Sequence, residues 1–294
     1  MTHITRILAL ALMTLFMPLS VSHAAIFFDT DWETCTVLSG NDFPCEGWDD
    51  GANERPGIPP NVQSGTAVVQ TPYAALTGTK GLRGIQDNKG TPGVSGGNTR
   101  NQNLTKMLPA GVKHVFARYA YRQAPGFEYC AVNGHTKLVR FQGAGYPKIW
   151  IVNKLGSYIV GVEGAYDVGS GGVDTFYSGV LVSTSAWQQI EYEWKMNEPG
   201  QANGLMRLWI DGVLRIERLN RQWVGPLPTS TGLNHPNLTP STLTITNTQI
   251  YLQCGLGTQY YDRFAVGSTR IGLIGTGLPV DAIPPATPAG WTVQ

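Results

Sequence analysis

The sequence predicts an all-β chain folded as two antiparallel sheets stacked into a sandwich. Three observations carry this expectation. Strand signals recur every ten to fifteen residues from Lys113 onward. Glycine stands at 36 residues and aromatics at 10%, while charged residues fall to 14%, against about 25% in an average protein. That mix suits short strands joined by tight turns. No stretch sustains a helical period with caps.

Residues 39–66 and 77–103 are rich in Gly, Pro, Asn and Asp and read as loops. His114 to Gln123 then alternates. Val115, Ala117, Tyr119 and Tyr121 fall on one face, and His114, Arg118 and Arg122 on the other. In a strand these sets point to opposite sides of the sheet. The apolar set is expected in the core and the basic set is expected open to solvent or a groove, with Phe116 sharing the basic face. Trp187 to Met196 repeats the pattern, with Ile190, Tyr192, Trp194 and Met196 inward and Gln189, Glu191, Glu193 and Lys195 outward. Leu205 to Ile210 follows, and Asp211-Gly212 predicts a two-residue hairpin turn into Val213 to Arg218. Further strands are expected at 136–142, 148–153, 158–163, 243–252 and 261–266.

The first residues read as an export signal. Arg6 precedes an apolar run from Ile7 to Leu19, and Ser22-His23-Ala24 places small residues at a cleavage position. The run is too short for a membrane span of about 20 residues. Residues 1–24 are therefore set aside as a signal peptide, 25–280 as one β domain, and 281–294 as a proline-rich closing segment or linker stub. The expected destination is the periplasm or the exterior, with no membrane span after signal removal. A formal net charge of +1 supplies no field to draw the chain to nucleic acid or an anionic membrane. All four cysteines (Cys35, Cys45, Cys130 and Cys254) lie in the exported part, and an even count there implies two disulfides. Three pairings are formally open. The expected one closes a short loop with Cys35–Cys45 and leaves Cys130–Cys254 as the long-range bridge.

Several segments carry a resemblance. Phe27-Phe28-Asp29 resembles the first strand of concanavalin A-like secreted polysaccharide-lyase and laminin-G-like domains. So do Val115-Phe116-Ala117-Arg118-Tyr119 and His135-Thr136-Lys137-Leu138-Val139-Arg140-Phe141. The run from Trp187 to Tyr192, with Asn203 to Gly212, is similar to the paired strands and hairpin of that superfamily, and Tyr260-Tyr261-Asp262 to its C-terminal strand. The resemblance spans most of residues 26–275 and implies a jelly-roll sandwich acting on an extracellular polysaccharide. The superfamily includes lyases, hydrolases and lectins, so the fold alone names no activity. Two signatures are missing, the Glu-x-Asp-x-x-Glu of laminarinase-type hydrolases and the Gln-Ile-His of alginate lyases. Glu191 and Glu193 share a strand face about 7 Å apart, a span open to an inverting pair, although exposed charged strand positions are far commoner than catalytic pairs.

Elimination from a uronate needs a group that neutralises the carboxylate, a base for the C5 proton and an acid for the departing O4. The row His114, Arg118 and Arg122 fits the first two roles in kind, since the planar fork of Arg matches a carboxylate. Lys137 and Arg140 come from a neighbouring strand, where alternation puts them on opposite faces, so one of the two joins the row. His135 and Tyr146 sit close by in sequence. The candidate catalytic set is therefore His114, Arg118, Arg122, His135, Lys137 and Tyr146. Neutral glycan binding would instead use ring platforms, for which Trp150, Tyr158, Tyr177 and Trp223 are candidates. No cofactor is required for elimination. A structural calcium held by Asp29, Asp31 and Asp262 is a further expectation. The chain is expected to be a monomer with an extracellular polysaccharide as partner. A non-catalytic lectin-like module or a laminin-G-like adhesion domain is the alternative.

Overall fold

A computed structural model describes residues 25–35, 46–48, 65–71, 73–88, 101–130, 135–143, 148–154, 156–163, 174–198, 201–221 and 244–275. The expected signal peptide over 1–24, the proline-rich segment 281–294, Cys45, Tyr146 and Trp223 lie outside the described residues. Among the described residues there are fifteen strands and no helix. In chain order they are β1 (Ile26–Thr30), β2 (Gly65–Gln70), β3 (Lys80–Asn88), β4 (Asn101–Met107), β5 (His114–Gln123), β6 (Glu128–Tyr129), β7 (His135–Gly143) and β8 (Lys148–Lys154). They continue as β9 (Ser157–Glu163), β10 (Asp174–Leu181), β11 (Gln188–Lys195), β12 (Gly204–Ile210), β13 (Val213–Arg221), β14 (Ile245–Gln253) and β15 (Gly255–Gly267).

Two antiparallel sheets result. The nine-stranded sheet runs β13-β12-β11-β5-β15-β3-β2, with β1 and β6 also paired to β15, and the six-stranded sheet runs β10-β9-β8-β7-β14-β4. Alternation decides which side chains meet between them. Val115, Tyr119 and Tyr121 of β5 and Ile190, Tyr192 and Trp194 of β11 enter the core from one sheet. Phe141, Ile149, Ile151 and Ile250 enter it from the other. The Phe141 and Tyr192 rings meet across the layers with centroids 4.7 Å apart. Each large apolar side chain buried this way contributes about 1.5–3 kcal/mol relative to exposure.

The core also holds phenols, which need partners when buried. Tyr121 and Tyr261 both donate to Gln259 Oε1, at 2.8 and 3.0 Å. Tyr158 donates to Gln188 Oε1 at 2.9 Å. Burial pushes the phenols of Tyr119, Tyr158 and Tyr261 well above their ordinary value, so they stay neutral in the core.

The expected strands at 114–123, 136–142, 148–153, 158–163, 187–196, 205–210, 213–218, 243–252 and 261–266 all correspond to strands of the structure. The hairpin between β12 and β13 turns at Asp211 (φ 51°) and Gly212 (φ 77°), the two left-handed positions that such a turn requires. The expected loop over 77–103 is corrected. β3 runs through it, and β4 begins within it. Gly81 and Gly84, which read as loop residues, are close-approach positions in β3. A Cβ on Gly81 would lie 1.6 Å from the Ala74 carbonyl oxygen, and one on Gly84 would lie 2.4 Å from Leu252 Cδ1.

Two links tie distant segments together. Cys130, just after β6, is bonded to Cys254, just after β14, across 124 residues with Cα atoms 5.0 Å apart. Cys35 is disulfide-bonded as well. Asp262 of β15 is fully buried, and its Oδ2 accepts the amides of Leu76 (2.7 Å) and Thr77 (3.1 Å). This pins the 71–77 loop over the outer face of the nine-stranded sheet.

Removing the long bridge with Cys130→Ser and Cys254→Ser is expected to cost about 2–5 kcal/mol, read by calorimetry as a melting point lower by about 5–15 °C; an unchanged melting point would contradict this. Burial pushes the Asp262 carboxyl up to about 6, against the pull of its amide hydrogen bonds and of Arg263. The folded chain therefore holds this proton more tightly than the unfolded chain does. The stability that follows is complete below the ordinary carboxylate range and is lost as pH rises through about 6. Asp262→Asn is expected to remove that component, so the stability difference between parent and variant must change between pH 4 and pH 6.5. A constant difference would rule it out.

Candidate functional site

The outer face of the nine-stranded sheet carries the basic row, and the structure corrects its expected openness. Arg118 is 7% exposed, and its Nη1 donates to the Gly272 carbonyl at 3.3 Å. Arg122 is 9% exposed, and its Nη2 donates to the Tyr73 carbonyl at 2.5 Å. Glu191 accepts the amides of Ile271 (2.6 Å) and Gly272 (3.0 Å) and the Arg270 Nε (3.2 Å). Glu193 lies 2.7 Å from His114 Nε2 and 3.1 Å from Arg207 Nη1. The segment 268–275 and the 71–77 loop fold over this face, so its charges are spent on backbone groups and on each other. Glu191 and Glu193, expected outward and exposed, are both buried for the same reason. They are held by cations and amides rather than posed as an acid–base pair.

The other expected residues are scattered. Tyr158 is a core residue, fully buried, because its β9 position faces the opposite sheet, and it offers no platform. Tyr177 on β10 is 57% exposed. Trp150 lies on the outer face of β8 but is only 5% exposed and packs on Ile159. His135 begins β7 opposite Lys154; its side chain lies outside the description, as do Tyr146 and Trp223 altogether. Asp29 and Asp31 line a surface cavity of about 400 Å³ with Glu46 and Arg263, and Asp31 is paired with Arg263 at 3.1 Å. Asp262 does not join them, because its oxygens are taken by amides. Among the described residues no three His, Cys, Asp or Glu side chains are placed to hold a metal ion.

The outer face of the six-stranded sheet is where basic, aromatic and amide side chains converge. Arg140 of β7 stands opposite Gln249 of β14 and opposite Trp150 of β8. Its Nε donates to Gln249 Oε1. Its guanidinium carbon lies 3.9 Å from the centroid of the Tyr251 ring. Lys137 Nζ is 5.6 Å from the Tyr251 ring and 5.8 Å from the Trp150 ring. Cation–π contacts of this kind contribute about 0.5–2 kcal/mol and hold the phenol and the cations at fixed separation. Asn247 lies two residues before Gln249 on the same face. It is buried, and its Oδ1 has no hydrogen-bond partner among the described residues.

The expectation that Lys137 or Arg140 joins the His114, Arg118 and Arg122 row is corrected, because β7 belongs to the six-stranded sheet and β5 to the nine-stranded one. Lys137 and Arg140, three residues apart, were expected on opposite faces. A β-bulge between Lys137 and Val139 adds a residue to β7 and brings both to the outer face. Gln249 and Tyr251 were not singled out. The signal was present in the alternation of Thr248 and Ile250 inward with Gln249 and Tyr251 outward, the ordinary mark of a half-buried strand.

No family profile matches this chain, and no curated protein does. Solved structures do. An endo-β-1,4-glucuronan lyase from the fungus Trichoderma reesei superposes with a TM-score of 0.52 at 18% identity, over 80% of this chain and 96% of that one. An alginate lyase from Chlorella virus gives 0.49 at 13% identity, over 70% and 92% of the two chains. A PL-14 alginate lyase from Aplysia kurodai gives 0.48 at 10% identity, over 68% and 86%. At 18% identity the likeness to the glucuronan lyase speaks for architecture alone: this chain has a jelly-roll sandwich fold.

Proposed function

We propose that this chain is an exported protein that cleaves a uronate-containing polysaccharide by β-elimination on the outer face of its six-stranded sheet. One observation carries the reading: Arg140, Lys137 and Gln249 gather around the Tyr251 ring on two adjacent strands. These are the group types that elimination requires. The glucuronan lyase that shares the fold adds support at the level of architecture only.

The roles follow from the chemistry. Arg140, with the amide of Gln249, binds the uronate carboxylate, drawing off negative charge so that the C5 proton becomes acidic. Tyr251 removes that proton and returns one to O4 as the C4–O4 bond breaks and the C4–C5 double bond forms. Lys137 beside the phenol supplies positive charge where the transition state is anionic. Asn247 Oδ1 offers an acceptor to a sugar hydroxyl, which would relieve a buried polar atom that otherwise costs stability.

The test is an ultraviolet assay for unsaturated product on alginate, glucuronan and pectate. Cleavage of at least one polymer is expected. Tyr251→Phe is expected to lower kcat by about 100-fold or more with KM little changed, while Gln249→Ala raises KM. Cleavage by Tyr251→Phe at the parental rate would remove Tyr251 from the reaction. No product with any polymer, together with retardation in polymer-containing gels, would overturn the lyase reading in favour of a carbohydrate-binding module.

A further inference from the structure

On the opposite side of the molecule, the outer face of the nine-stranded sheet carries a second row of rings and cations. Trp187, at the entrance to β11, lies beside Arg122 of β5, whose guanidinium carbon is 5.2 Å from its ring. Arg122 stands opposite Tyr260 of β15, and Tyr260 opposite Arg83 of β3. Four neighbouring strands thus present Trp, Arg, Tyr and Arg in a line across the sheet. Tyr73, from the 71–77 loop, lies over Arg122 with its ring centroid 5.0 Å away and is 65% exposed.

The two arginines do different things. Arg122 is enclosed by the Tyr73, Trp187 and Tyr260 rings, and its Nη2 is bonded to the Tyr73 carbonyl. It acts as a strut that holds the rings in place. Arg83 is half-buried, and its Nε is buried without a hydrogen-bond partner among the described residues. A buried cationic donor left unsatisfied is costly, and the half-buried Arg83 side chain is the cation of this row that an anion can approach more readily than the ring-enclosed Arg122.

We infer that this row is a second, non-catalytic binding site for a linear acidic polysaccharide, with Trp187, Tyr73 and Tyr260 stacking on sugar rings and Arg83 taking a carboxylate. The spacing suits such a chain. Trp187 and Tyr260 are two strands apart, about 10 Å from the strand spacing, which is close to the disaccharide repeat of an extended β-linked glycan. Rings stack on the apolar faces of sugars, and the guanidinium fork matches an acidic group. An extended peptide is a poorer fit, because it would need a free strand edge, and β5, β15 and β3 are all paired on both sides. The row lies across the sandwich from Tyr251, so it retains polymer without touching the reacting bond.

The experiment is affinity electrophoresis of the full exported chain in carboxymethylcellulose and in neutral hydroxyethylcellulose. These share one backbone and differ in charge. The comparison set is the parent, Tyr73→Ala, Tyr73→Ala with Arg83→Ala, and Arg140→Ala, with melting points measured for each. The double variant is expected to show retention about fivefold or more weaker in the charged gel, with cleavage of short uronate oligomers unchanged, while Arg140→Ala keeps most of its retention. The exposed Tyr73→Ala alone is expected to give an intermediate loss, which reads the site even where the double variant folds poorly. Parental retention in both Tyr73 variants would overturn the inference. Equal retention in the neutral gel would overturn its acidic part. Neither result depends on whether the chain proves to be a lyase.

Discussion

The pairing of β7 with β14 is the constraint on which the candidate site depends. Its register sets Arg140 against Gln249 and Val139 against Ile250. The same ladder therefore loads the core with Val139, Phe141 and Ile250 while it raises Arg140 and Tyr251 on the outer side. A slip of one residue would exchange the two sets. The bulge at 137–139 and the Cys130–Cys254 bridge both lie at the Lys137 end of this ladder, where Gln253 pairs with Lys137. A covalent tie at one end and a filled core beneath fix the register, so the site inherits its geometry from stability.

The two outer faces show how one architecture separates structural from chemical charge. On the nine-stranded sheet Arg118, Glu191 and Glu193 are buried under the 268–275 segment and neighbouring side chains. A buried charge is tolerated when it is paired and hydrogen-bonded: Glu191 is paired with Arg270 and Glu193 with Arg207, and Arg118 donates to the Gly272 carbonyl. On the six-stranded sheet Arg140 and Lys137 are only half-buried and lie against rings and an amide. Their neighbours Gln249 and Tyr251 are themselves buried, so an anionic ligand would approach through Arg140 and Lys137, which are more open than Arg118.

Most of the architecture was legible because alternation is a strong signal wherever one strand face is apolar. β5, β11, β12 and the turn at Asp211-Gly212 were readable for that reason. β3 was not, because Gly81 and Gly84 are there to admit neighbouring atoms rather than to make turns. The site was less legible than the fold. Arg118 and Arg122 have the sequence appearance of an open basic face, and only the placement of residues far along the chain, such as Gly272 and Tyr73, shows them closed. Lys137 was expected beside the His114, Arg118 and Arg122 row, but β7 lies in the six-stranded sheet and β5 in the nine-stranded one, and sequence alternation carries no signal for which sheet a strand joins. Arg140 was separated from Lys137 by an odd–even count that a bulge invalidates.

The most direct measurement is a paired comparison of Arg140→Ala and Arg118→Ala, each assayed for uronate cleavage and for melting temperature. With chemistry on the six-stranded sheet, Arg140→Ala loses activity by about 100-fold or more while melting within a few degrees of the parent. Arg118→Ala instead melts lower and keeps its turnover below that temperature. The reverse pattern, an active Arg140→Ala beside a stable and inactive Arg118→Ala, would put the chemistry on the other sheet and contradict the account.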